Sequence, residues 1–256
     1  MSSRQANEDA DADAWYLLAQ NHNTAGQYTE AVAAYSAALD RDPSHATARV
    51  GQGLALQHMG RHEAAVDDFS EVIERYPEWE GVYIAYYSRA LSQSALQELE
   101  ATVDDCNEAL SVKPDYVAAL YLRGITLKAL GDTEQAIKDI NAVLEVDATY
   151  HEAYYSRGTL FYMTGRWEEA IDDFTRFLGH SSTADDDATN CYRLRGIAAH
   201  QLGQYATALQ DLSLAIERDP TSATAYLRRS QVYAAMGDSA RAEADFKTGT
   251  SLTTTG

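Results

Sequence analysis

Residues 15–43 read WYLLAQNHNTAGQYTEAVAAYSAALDRDP. On both sides of Gly26 the apolar side chains recur at steps of three and four, the period of a helix with one buried face. Gly26 tolerates a positive φ and lets the chain turn between two such helices. Pro43 stops the second, because proline drives the residue before it out of the helical region. The stretch predicts two antiparallel helices followed by a change of direction.

The pattern returns along the whole chain. Prolines stand at 43, 77, 114 and 220; the first two are 34 residues apart, and the others keep that period once short inserts are allowed. A fixed period of this length marks a repeat array. Seven units follow, 12–45, 46–79, 83–116, 117–150, 151–184, 189–222 and 223–256, with inserts at 80–82 and 185–188. Residues 1–11 read as an acidic flexible tail, so the domain expected is a single array over 12–256. Glycine holds repeat position 15 as Gly26, Gly60, Gly131, Gly165, Gly203 and Gly237, with Gln97 in the third unit. Position 20 is alanine except for Thr102, and position 8 is always small (Ala19, Gly53, Ala90, Gly124, Gly158, Gly196, Ser230). Small residues there let the paired helices approach where larger ones would overpack.

These columns resemble the tetratricopeptide repeat family. The first unit carries the resemblance in Trp15, Leu18, Ala19, Gly26, Tyr28, Ala31, Tyr35, Ala38 and Pro43, and the fifth repeats it in Tyr154, Gly158, Gly165, Trp167, Ala170 and Phe174. It covers all but the first eleven residues. Ala148 and Ser182 replace proline, and Phe177 and Gly249 replace the usual small residue at position 27, which affects local packing rather than the fold. The resemblance implies an all-α, right-handed superhelical solenoid of seven antiparallel helix pairs whose first helices line a concave groove.

A second pair of columns supports the register. Arginine at position 7 (Arg89, Arg123, Arg157, Arg195, Arg229) occurs in the same five units as aspartate at position 23 (Asp105, Asp139, Asp173, Asp211, Asp245). The second unit keeps only Asp68, opposite Gln52. Co-occurrence predicts an ion pair joining the two helices of a unit, a structural role. In the last unit the aliphatic pair at positions 21 and 28 becomes Glu243 and Thr250. That reads as a polar terminal cap, with the array ending there and 256 residues close to the full protein.

The 39 acidic against 20 basic residues give a net charge of −19. Nucleic acid is excluded as a partner, since its binding needs basic side chains to displace counterions. No apolar run of membrane-spanning length occurs, so no membrane insertion is expected. Two separate cysteines, Cys106 and Cys191, without CxxC suit a reducing, cytoplasmic compartment.

Motifs for chemistry are missing. There is no phosphate loop. Asp9, Asp11 and Asp13 open like a calcium loop, but Ala14 and Gln20 stand where glycine and glutamate are required. His58 and His62 are separated by the turn at Gly60, which argues against a shared metal. Cys106 occupies an apolar packing position, and Cys191 lies beside the acidic 185–187, which raises a thiol pKa. No enzyme, cofactor or metal site is expected.

By the resemblance, positions 2, 5, 9 and 12 point into the groove. The residues expected to meet a partner are Tyr16, Leu54, Tyr87, Leu91, Tyr121, Ile125, Lys128, Tyr155, Tyr162, Arg193, Ile197 and Leu227. Tyr87, Tyr121 and Tyr155 recur every 34 residues as a ladder, and tyrosine combines large contact area with a hydrogen-bonding tip. Positions 5, 9 and 12 carry no carboxylate, whereas Asp67–Asp68, Asp104–Asp105 and Asp172–Asp173 fall on second helices, placing acidity outside. The lysine and asparagine clamp by which some relatives hold chaperone tails is absent, with Tyr16 and Gln20 in its place. The function expected is a noncatalytic protein–protein scaffold or adaptor holding a segment with apolar anchors. The alternatives are a constitutive subunit of a large assembly and a substrate-recruiting subunit of an enzyme encoded elsewhere.

Overall fold

The computed structural model describes residues 11–179 and 186–255. Among them are fourteen helices and no strand. In chain order they are α1 Ala12–Thr24, α2 Tyr28–Arg41, α3 Ala46–His58, α4 His62–Arg75, α5 Val82–Ala95, α6 Leu99–Val112 and α7 Val117–Leu130. There follow α8 Thr133–Val146, α9 His151–Met163, α10 Trp167–Leu178, α11 Asp186–Gln201, α12 Tyr205–Arg218, α13 Ala223–Ala235 and α14 Ser239–Thr255. Each expected unit supplies two helices, so the fold is an all-α array of helix pairs.

The helices form two compact bodies, Met1–Asp139 and Ile140–Gly256, divided within α8. In the first, each helix from α1 to α7 packs on the next, and α1, α3, α5 and α7 also touch in succession. In the second, α9 to α14 pack likewise, and α11 touches both α9 and α13. Second helices make no such contact with one another among the described residues. Within each body the first helices are therefore the crowded row and the second helices the splayed one.

The turns explain the glycine column. Gly26, Gly60, Gly131, Gly165, Gly203 and Gly237 have φ between +70° and +86°, a region that costs any residue with a Cβ about 1–2 kcal/mol. Gln97 takes the same turn at φ +63°, the one described non-glycine residue with positive φ. Between units the chain is held by an aspartate rather than by proline alone. Oδ1 of Asp42, Asp147 and Asp219 accepts both the backbone N–H and the hydroxyl of Ser44, Thr149 and Thr221. These bonds lower the pKa of Asp42 and Asp147, and they keep the turn at Ala148 where proline is missing.

Close packing explains position 8. A Cβ on Gly53 would stand 2.7 Å from the Phe69 ring, and one on Gly158 would stand 2.8 Å from Phe174. Both rings are fully buried. The ring of the second helix thus lies against the backbone of the first, where packing density leaves no room for a methyl group.

All five Arg–Asp pairs form. Each arginine Nε lies 2.7 Å from aspartate Oδ2, and Nη2 lies 2.7–2.9 Å from Oδ1. Such forked pairs fix the helix-to-helix geometry as well as the charge. The remaining Nη1 reaches back to the preceding unit's second helix, at Ser70, Asn107, Asn141, Thr175 or Ser213. In the second unit Gln52 keeps only that backward bond, 2.6 Å to Ser36. Asp68 is left with Arg49 at 3.4 Å, an arginine shared with Glu71 at 3.0 Å, and its Oδ2 is buried without a partner. Burial outweighs the Arg49 charge and pushes the Asp68 carboxyl up to about 6.

Several expectations need correcting. Asp11 is not tail: its side chain accepts the Ala14 N–H at 2.8 Å and caps α1. Of each Asp–Asp pair only the first is exposed, at Asp67, Asp104 and Asp172; Asp105 and Asp173 are buried against arginine. The outer face is therefore less acidic than the sequence suggests. α11 begins at Asp186, before the expected unit boundary at 189, so the insert is partly helical. The terminal unit is not wholly polar, since Phe246 is 56% exposed where Phe69 and Phe174 are covered. Residues 1–10, Ser182 and residue 185 of the insert lie outside the described residues.

Candidate functional site

The first-helix face of the first body carries a cleft of about 580 Å³. The Tyr16 ring sits 4.8 Å from His45 and 6.0 Å from Tyr35, and its hydroxyl accepts a 2.7 Å bond from Gln20 Nε2. Leu54 supplies an aliphatic wall from α3, while Trp79 and Ile84 close the far side. Gly51 forms part of the floor because the Tyr35 ring lies over it; an added Cβ would stand 2.5 Å from that ring. Asn23 Oδ1 is buried in the cleft wall with no donor. The cleft thus presents apolar surface and a tyrosine hydroxyl, a combination suited to an apolar side chain.

The other expected residues of this body are more committed to packing. Tyr87 meets Tyr116 edge-on at 5.1 Å and, with Ile125, covers the buried cluster of Ala90, Cys106 and Leu122. Leu91 is 36% exposed and available. Tyr121 is half-buried on the same helix row, and burial lowers the pKa of the Lys128 ammonium.

In the second body the Tyr155 ring lies tilted against Phe177 at 5.1 Å, and its hydroxyl accepts a bond from Asn190 Nδ2 at 2.5 Å. Burial raises its pKa. Tyr162 meets Trp167 edge-on at 5.5 Å. Ile197 does not face a partner: it is 4% exposed, in a cluster with Leu212 and Val232. Leu227 packs where a Cβ on Gly249 would stand, 2.8 Å away, which accounts for glycine at that position. Arg193 is half-buried and lines a separate cleft of about 280 Å³.

The structure therefore brings together Tyr16 and Leu54 of the expected set in one cleft, and places Arg193 in another. Trp79 was missed because it closes its unit in the turn before α5. Ile84 and Asn190 lie in the position-2 column, whose residues also include Asp13 and Glu152. Reading that column would have found both, and would have shown that the row is not free of carboxylates.

Chemistry is not favoured by the local environments. The Cys106 thiol is pushed up to about 12 by burial, and the Cys191 thiol is raised for the same reason, so neither carries nucleophilic thiolate. The His58 ring stacks on Tyr28 at 4.6 Å. Among the described residues, no three His, Cys, Asp or Glu side chains converge as a metal site.

Comparison with known proteins places this arrangement. No curated protein sequence matches the chain. Solved structures resemble it at low identity, which carries the fold. A tetratricopeptide repeat protein from Parabacteroides merdae is 21% identical with a TM-score of 0.64, over 94% of this chain and 93% of that one. YrrB, described as a TPR protein with an unusual peptide-binding site, is 20% identical with a TM-score of 0.64, over 72% and 91%. MamA from Desulfovibrio magneticus is 19% identical with a TM-score of 0.61, over 66% and 94%. A tetratricopeptide repeat family model matches residues 16–78, 121–188 and 193–249, passing over the whole of the third unit, where Gln97 and Thr102 break the columns. With most of its length matched and its helix pairs in the same order, the chain belongs to the tetratricopeptide repeat family.

Proposed function

We propose that this protein is a noncatalytic adaptor that holds a segment of a partner polypeptide on its first-helix face. Membership of the family supports a role in protein–protein interaction in general, and YrrB provides a precedent for a peptide-binding site on this fold. The observation that carries the reading is the Tyr16–Leu54 cleft. An apolar side chain of the segment fills the cleft. The two free, buried cysteines fit a cytoplasmic setting, and no described helix is long and apolar enough to cross a membrane.

Partner capture by the wild type, Leu54→Arg and Leu54→Ala, with Asp104→Asn as an outer-face control, tests this. The reading expects loss in the first, weakening in the second and no change in the control. Equal capture by all four folded proteins would refute it. Replacing Tyr87 and Tyr155 is a poorer test, because their rings also hold the fold.

A second reading, a permanent subunit of a larger assembly, is favoured by apolar side chains exposed away from the cleft, such as Met163 at 61% and Phe246 at 56%. Such a subunit aggregates when purified alone, whereas the adaptor stays monomeric; sedimentation velocity separates the two.

A further inference from the structure

In the second body, a cleft of about 280 Å³ is lined by Arg193 of α11 and Arg218 at the end of α12, with Thr189, Asn190, Asp219 and Ser222 around them. Neither arginine is in an ion pair with a described acid. The position-7 arginines, by contrast, are all taken by buried aspartates. Both guanidinium groups are nevertheless held in place. Arg193 Nη2 donates to Asn190 Oδ1, and Asn190 donates in turn to Tyr155, tying the arginine to the neighbouring first helix. Arg218 lies 5.0 Å over the Tyr192 ring. The one acid in the lining, Asp219, has Oδ1 occupied by Thr221.

We propose that this cleft binds a carboxylate, the side chain of an aspartate or glutamate in a partner polypeptide. The proposal rests on the adaptor reading for its setting and adds the chemistry of the partner. Two positioned guanidinium forks match a planar carboxylate with parallel N–H bonds. Asp219 and the net charge of −19 oppose a dianion more than a monoanion, which selects carboxylate over phosphate. A partner segment with an acidic residue is thereby distinguished from a wholly apolar one.

The test uses the full ¹⁵N-labelled chain and follows the arginine Nε–Hε signals. Sodium acetate is titrated against sodium chloride at matched ionic strength, then sodium phosphate in a parallel series. The expected result is a saturable, concerted shift of Arg193 and Arg218 with acetate, absent with chloride, while the paired Arg123 stays still. Arg218→Gln should weaken acetate about tenfold or more, and Arg218→Lys should weaken it too, because the charge remains but the fork is lost. Far-UV circular dichroism checks that both variants fold. A linear shift identical in chloride, an unaltered response in both variants, or saturation by phosphate below the acetate range would each overturn the assignment. Acetate carries no apolar anchor, so this titration can fail while partner capture through Leu54 stands, and the reverse.

Discussion

Gln52→Arg should stabilise the second unit, and only in the pH range where Asp68 is charged. In the five complete units an arginine at this position reaches its aspartate with two bonds and the preceding helix with a third. Gln52 already occupies the path, since its Nε2 lies 2.6 Å from Ser36, as Arg89 Nη1 lies 2.9 Å from Ser70. The introduced guanidinium would meet the buried Oδ2 of Asp68, which has no partner, and leave Arg49 to Glu71. Burial raises the Asp68 carboxyl from 3.8 to about 6. Because the folded value lies above the unfolded one, the folded chain binds more protons between about pH 4 and 6, and stability falls as pH rises through that window. Two pKa units correspond to about 3 kcal/mol as an upper bound. Residual solvent at the side chain, which is 13% exposed, and desolvation of the new arginine reduce the expected gain at pH 7 to about 1–2 kcal/mol. Near pH 4 the gain should vanish, because the wild-type Asp68 is then protonated and its burial no longer penalises a charge. Urea unfolding followed by tryptophan fluorescence at both pH values measures the gain. A ¹³C titration of the Asp68 carboxyl should move from about 6 to below the usual aspartate value. Equal stabilisation at pH 4 and 7, or none at pH 7, would refute the reasoning.

Gln97→Gly should stabilise the third unit by about 0.5–1 kcal/mol, the relief of a left-handed turn less the greater freedom of an unfolded glycine; urea midpoints measure it. Gly158→Ala should cost about 1–3 kcal/mol, because the new methyl meets the Phe174 ring. Adding Phe174→Leu should recover part of that loss in a double-mutant cycle. Asp211→Ala should cost about 3–5 kcal/mol by leaving Arg195 partly buried and unpaired, whereas Glu169→Ala, which breaks an exposed pair, should cost at most about 1 kcal/mol in the same assay.

The sequence made the helix pairs legible because each turn leaves a chemical trace at a fixed interval. Gly26 and its equivalents mark the left-handed turn, and Arg157 with Asp173 marks the crossing of two helices sixteen residues apart. The trace fails where another residue does the same work at a cost, as Gln97 does, or where Asp147 and Thr149 hold a turn without proline. The candidate site was less legible. Periodicity assigns a side chain to a face, but not to the neighbour that occupies the space in front of it. Ile197 shares its column with Leu54 and is buried, because Leu212 and Val232 close over it. Tyr155 shares its column with Tyr16, yet Phe177 and Asn190 claim its ring and hydroxyl. Trp79 enters the cleft from a turn, where no helical period predicts direction.

The central claim is that the first-helix row of the first body is the binding face. Hydrogen–deuterium exchange of the free chain and of the chain bound to its captured partner tests this most directly. The account predicts slowed exchange in α1 and α3 around Tyr16 and Leu54, with α2 and α4 unchanged. Protection confined to the second helices, with α1 and α3 exchanging as in the free chain, would contradict it.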